Sequence, residues 1–232
     1  MDNLLARRLR RWGWGTGIAT VVIVVVLALA GAYMLDYSLF PKMRHGHNLP
    51  WRLDNIISES PQLRPWADSL KHCHALHDTV VQMPTGERHH ATYINASEPS
   101  RRVAVLVHGY RDNGMGMMHV ASIYHHMGYN ILLPDLHAHG KSEGEGVQMG
   151  WKDRLDVMRW MAVADSVWGG TEGTAMVLHG ISMGAATVMC VSGERLPDYV
   201  KCFVEDCGYT SVWDEFEHEL ASQFHLPAFP LL

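Results

Sequence analysis

Three rhythms of apolar and polar residues divide the chain. Gly13 to Leu35, ending "TGIATVVIVVVLALAGAYML", carries no charge. At 1.5 Å per residue, a helix of about 20 such residues crosses a hydrocarbon core of about 30 Å, so a transmembrane helix is predicted over 13–35. Residues 36–60 show no clean period, and Pro41 and Pro50 break helix, which reads as a linker. Pro61 to Leu76 puts Leu63, Trp66 and Leu70 on one helical face, after a capped start at "SESP". From Asp78 the rhythm becomes strand and turn. "DTVVQM" and "RHHATYINA" read as strands around the turn "PTGE". "RVAVLVH", "YNILLPD", "TAMVLHG" and "VKCFVED" are short apolar runs, as expected of strands buried on both faces.

Between these runs lie helical patterns. They cover Met115–Met127, ended by Gly128; Trp151–Trp168, with Leu155, Met158 and Val163 apolar; and Ser182–Ser192, ended by Gly193. "SVWDEFEHELASQF" is a fourth. After two lead-in strands, strand and helix alternate. That order predicts an α/β domain, a mostly parallel sheet with helices on both faces. The expected organisation is a basic segment at 1–12, a membrane helix at 13–35, a linker at 36–60 and an α/β domain at 61–232.

Charge sharpens the N-terminal picture. Arg7, Arg8, Arg10 and Arg11 precede the apolar run and belong on the cytoplasmic side, which places the domain outside. Trp12 and Trp14 fit the membrane interface. Ala28-Leu29-Ala30 also matches a signal-peptide cleavage site, but the run exceeds the usual h-region of roughly 7–15 residues. The membrane is therefore an expected partner. A net charge of −5, with no basic stripe past the first dozen residues, argues against nucleic acid. The four cysteines form no Cys-x-x-Cys pair; Cys190 and Cys202 lie in apolar runs and read as buried thiols.

Candidate chemistry centres on Gly180-Ile181-Ser182-Met183-Gly184. A lone Gly-x-Ser-x-Gly is weak, but this one joins a buried strand to a small-residue helix, as a nucleophile elbow requires. Glycines two before and two after the serine let the backbones pass. The second element is His108-Gly109-Tyr110-Arg111, just past "VAVLV". The amides of Met183 and Tyr110 are candidate oxyanion donors for acyl transfer. His108 reads as ordering its loop rather than as a base. Gly140-Lys141-Ser142 mimics a phosphate loop, but Asp135 stands where that motif needs glycine. His72-Cys73-His74 would point in different directions on a helix, and His89-His90 and His137/His139 show no evident carboxylate or thiolate partner nearby, so no metal site is expected. No organic cofactor is implied.

"LVHGY", "DLHAHGKSEGE" and "LHGISMGAAT", in that order, resemble the α/β-hydrolase fold, in its branch of bacterial serine esterases, lipases and aminopeptidase-like hydrolases. That branch carries Asp-x-x-x-His-Gly-x-Ser-x-Gly after its fourth strand, here Asp135, His139, Gly140, Ser142 and Gly144. The resemblance spans about residues 60–225 and implies a serine hydrolase with Ser182 as nucleophile. It also implies an acid and then a histidine after the seventh and eighth strands. Six strands are counted here. The expectation is a C-terminally truncated hydrolase, its missing strands either lost or supplied by a separate chain, and its turnover impaired by loss of that acid and histidine. Its alternative is a membrane-tethered binding protein that keeps the fold without turnover. His218 and His225 lie in or at the end of a helix and make poor bases. Asp206 ends a strand, where an acid acts in some members of the fold, but "EDCGYTS" also reads as a helix cap. Without a seventh strand, "VKCFV" would be an exposed, aggregation-prone edge.

Overall fold

The computed structural model describes residues 2–40 and 49–229, with side-chain surroundings given for 12–40 and 53–229. The chain divides into two compact units, Met1–Phe40 with Ser211–Leu232, and Pro41–Thr210.

In the first unit, α1 runs Asp2–Leu39. Its stretch Trp12–Leu39 is long and apolar enough to cross a membrane. A membrane anchor and a signal sequence both share that character. The hydroxyls of Thr16 and Thr20 donate back to the carbonyls of Trp12, Gly13 and Thr16, so the helix satisfies its own polar atoms. The side chains of the basic segment lie outside the described residues. Helix α7 (Val212–Phe224) opens with Ser211 Oγ accepting from the Asp214 amide, and Asp214 and Glu215 suit the positive end of its dipole.

In the second unit, a six-stranded sheet has the order β1-β2-β4-β3-β5-β6. β1 (His77–Gln82) and β2 (Arg88–Ile94) form a hairpin, and β2 pairs antiparallel with β4 (Asn130–Pro134). β3 (Arg102–Val107), β4, β5 (Ala175–Ile181) and β6 (Val200–Asp206) are parallel. Helices α4 (Met118–His126), α5 (Asp153–Trp168) and α6 (Met183–Ser192) make the crossovers. The apolar runs are central because they are apolar: Val103 to Val107 are all fully buried, and Ile131 to Leu133 nearly so.

Four expectations change. Residues 49–59 are a helix, α2, with Pro50 tolerated in its first turn. Leu53, Ile56 and Ile57 face the core at helical spacing and pack in one cluster with Leu70, Leu106, Met117 and Ile131. Within the expected linker, 41–48 lie outside the described residues. The helix after Ser60 splits into a 3-10 turn (Pro61–Leu63) and α3 (Arg64–His72). On α5, Leu155 is exposed; the buried stripe is Asp153, Asp156, Val157, Trp160, Met161 and Ala164. Cys202 is exposed, on a strand paired on one side alone among the described residues, and Cys190, on α6, is only half-buried. Lys201, Glu205 and Asp206 are exposed along that strand, charges of the kind that discourage edge-to-edge pairing.

Candidate active site

Ser182 sits between β5 and α6 with φ 55° and ψ −119°. A non-glycine residue with positive φ is strained, by about 1–3 kcal/mol, and persists only where its surroundings impose it. Here they do. The β3–β5 register sets Val107 beside Gly180, bringing the end of β3 against the turn. A methyl on Gly180 would stand 2.6 Å from the Ala185 nitrogen and nearer still to the Gly184 carbonyl. One on Gly184 would stand 2.6 Å from His108 O and collide with Val107 O. Only glycine lets the three segments meet.

The Ser182 amide donates to Asp206 O (2.9 Å), which continues the β5–β6 ladder into the turn. The Ser182 carbonyl accepts from Ala186 (3.0 Å), so the Met183 amide lies in the first turn of α6, at the positive end of its dipole. The Gly109 Cα faces the serine: a methyl there would be 3.4 Å from Ser182 Cβ and 3.9 Å from Oγ. Tyr110 follows directly. The structure therefore brings Ser182, Met183 and the Gly109–Tyr110 loop to one end of the parallel strands.

His108 is fully buried. Its Nδ1 is 2.8 Å from Gly109 O and donates to it, while Nε2 accepts from the Leu136 amide (3.0 Å). These bonds fix the tautomer and clamp the β3 loop to the β4 loop, the ordering role expected. His139, against the His108 ring (centroids 5.1 Å), accepts from the Arg111 amide at 3.3 Å. Burial pushes His139 down to about 4, with His108 adding to the shift, so it is neutral at pH 7.

Asp135 anchors the second loop. It is buried, and its carboxylate accepts from the amides of Gly114 and Lys141 (2.8 Å each) and lies 2.8 Å from His90 Nδ1. Burial pushes its carboxyl up, but His90, the two amides and His108 together hold it below the ordinary value. His90 Nε2 reaches Asp78 at 3.0 Å, and Lys141 closes the network on Asp78 at 2.8 Å. Ser142 Oγ donates to Asp135 O and accepts from the His90 amide. The Asp-x-x-x-His-Gly-x-Ser loop is thus a scaffold.

Among the described residues Ser182 Oγ makes no hydrogen bond. The cap at "EDCGYTS" is Ser211, not Asp206. His218 lies within α7 and His225 at its left-handed end (φ 55°). A hollow of about 830 Å³ lined by Arg101, Arg102, Thr174, Tyr199 and Lys201 sits at the starting ends of β3, β5 and β6, opposite Ser182. Sequence reading found no carboxylate near the paired histidines, and the fold corrects this. It brings Asp135 and Asp78 to His90, and Glu87 and Asp156 to His89. The strand alternation of His89 and His90 was the available signal, but their partners come from pairings between distant segments.

Residues 98–220, just over half of the chain, match the family described as serine aminopeptidase, S33. The chain belongs to the serine aminopeptidase S33 family. With that family goes the α/β-hydrolase fold seen in the sheet order and elbow. The uncharacterized protein YqkD of Bacillus subtilis (strain 168) is 24% identical over 141 residues, covering 60% of this chain and 45% of that protein. The structure of the Pyrococcus furiosus esterase Pf2001 is similar at TM-score 0.57 and 22% identity, over 67% of this chain and 59% of that one. The chain spans about half the length of these two relatives, and the second likeness is one of fold.

Proposed function

We propose that this S33-family chain is a serine hydrolase whose Ser182 Oγ attacks an ester or amide carbonyl; the C–O or C–N bond breaks, the alcohol or amine leaves with the serine proton, and water then hydrolyses the acyl-enzyme. The amides of Met183 and Tyr110 hold the oxyanion, beside the positive end of α6. No cofactor enters this chemistry. The reading is carried by one observation, the strained positive φ of Ser182 held between Gly180 and Gly184. Such strain presents Oγ at the end of β5. The α1 helix anchors the chain in a membrane, arginines on the cytoplasmic side and the α/β unit outside.

A second reading is a membrane-tethered binding protein that keeps the fold without turnover. It is favoured by Ser182 Oγ having no hydrogen bond among the described residues, and by His108 having both nitrogens engaged. A fluorophosphonate probe and p-nitrophenyl esters separate the two. Labelling and hydrolysis lost in Ser182→Ala support the hydrolase; a folded wild-type chain that neither labels nor hydrolyses supports the binding protein. Protease protection of tagged termini in sealed vesicles tests the topology, and a C-terminal tag cleaved only from the cytoplasmic side would overturn it.

A further inference from the structure

Strand alternation sends His89 and His90 to opposite faces of β2. His90 has its partners. His89 does not: it is fully buried, and neither ring nitrogen makes a hydrogen bond among the described residues. Folded proteins rarely leave a buried polar group so without a reason. What surrounds the ring is a set of metal donors. Glu87, in the β1–β2 turn, and His137, in the loop after β4, each bring a ligand atom; with one from His89, all lie within 4.8 Å of one another. The His89 and His137 rings meet edge to face, centroids 5.5 Å apart. Gly144, at φ 135°, leaves room for the second ring: a methyl there would stand 2.6 Å from His137 Cε1.

The buried face of α5 adds carboxylates. Asp156 Oδ2 is 3.6 Å from His89 Nδ1, and Asp153 beside it is fully buried, its Oδ1 without a hydrogen bond among the described residues.

We infer that Glu87, His89 and His137 bind a divalent transition-metal ion of the zinc class, with Asp156 as the outer carboxylate to His89. Two imidazoles and a carboxylate suit zinc and its neighbours, whereas calcium and magnesium favour oxygen donors. Tetrahedral bonds of about 2.0–2.1 Å set ligand atoms about 3.4 Å apart, so the longest edge closes by up to about 1.4 Å. Glu87, half-buried on a turn, supplies most of that movement. An ion here ties the β1–β2 turn to the loop that carries His139 against His108. It is structural and takes no part in acyl transfer.

The test uses the full-length chain in detergent, stripped with EDTA and titrated with zinc sulfate alone by calorimetry, with elemental analysis after dialysis. One zinc per chain is expected, at micromolar affinity or tighter, with a raised thermal midpoint. Glu87→Gln and His137→Gln weaken binding by about tenfold or more and abolish the thermal shift. A double variant of the exposed His72→Ala and His74→Ala binds as wild type. Circular dichroism checks each fold, and if His137→Gln fails to fold, the rim variant Glu87→Gln decides. No retained zinc in the wild type, or equal binding by folded Glu87→Gln, overturns the site.

Discussion

The elbow glycines give the sharpest test of the backbone reading. In Gly184→Ala the new methyl stands 2.6 Å from Val107 C and from His108 O, and closer to Val107 O. Carbon does not approach such atoms within about 3.0 Å, so clearing Val107 O needs β3 and α6 to separate by about 1 Å. Both neighbours are backbone, and β3 is buried on both faces, so no flexible side chain can absorb the shift. Overpacking of this kind costs about 3 kcal/mol, the upper part of its usual range. For a chain of this size that is a fall in Tm of roughly 6–12 °C. Gly193→Ala, at the other end of α6, is the control: its nearest contact would be an ordinary 3.7 Å and its φ is −80°. It should shift Tm by no more than about 3 °C. Because the displaced atoms lead directly into Gly109 and Tyr110, fluorophosphonate labelling of Gly184→Ala should also fall. Tryptophan-fluorescence melts and probe kinetics on both variants in detergent measure this. Equal melting points would refute the claim that the three segments meet without slack.

His108→Gln removes the clamp between the β3 and β4 loops. Probe labelling should slow about tenfold or more with near-native far-UV circular dichroism, and an unchanged rate would deny the loop its ordering role. Asp135→Asn keeps the shape but strips the charge from the His90–Asp135 pair. Denaturant unfolding should show a loss of about 3 kcal/mol, and a change below about 0.5 would mean the network contributes little. Burial holds His179 below its ordinary 6.5, so the unfolded chain takes up its proton first as the pH falls. Its share of stability is full above pH 6.5 and is lost as the pH drops through the folded value. His179→Gln should flatten the stability slope between about pH 7 and 5, and an unaltered slope would reject that assignment.

Legibility followed the range of the interactions. The elbow is local: Gly180, Ser182 and Gly184 lie within one turn, and the strand before them and helix after them are visible as patterns. The buried strands were legible for the same reason, since an unbroken run such as "RVAVLV" can only be covered on both faces. Helix α2 was missed because Pro41 and Pro50 dominate its surroundings, while Leu53, Ile56 and Ile57 make a stripe too short to establish a period. Cys202 looked buried because its neighbours are apolar, yet its exposure depends on where β6 falls in the sheet. The Glu87–His89–His137 cluster joins a turn to a loop some fifty residues away. Only the β2–β4 pairing, whose register no local pattern specifies, brings them together.

The bond from the Ser182 amide to Asp206 O means that β6 holds one restraint on the strained turn, beside the close packing of Gly180 and Gly184. Ladder ends fray first, and β6, paired on one side alone among the described residues, frays there more readily than a central strand. Each such opening would loosen the turn at Ser182 on one side without unfolding the domain. The readiness of the serine is thus a fraction of time rather than a fixed property. Native-state hydrogen exchange at the Ser182 amide would report that fraction, and whatever stiffens the outer edge of β6 would raise it.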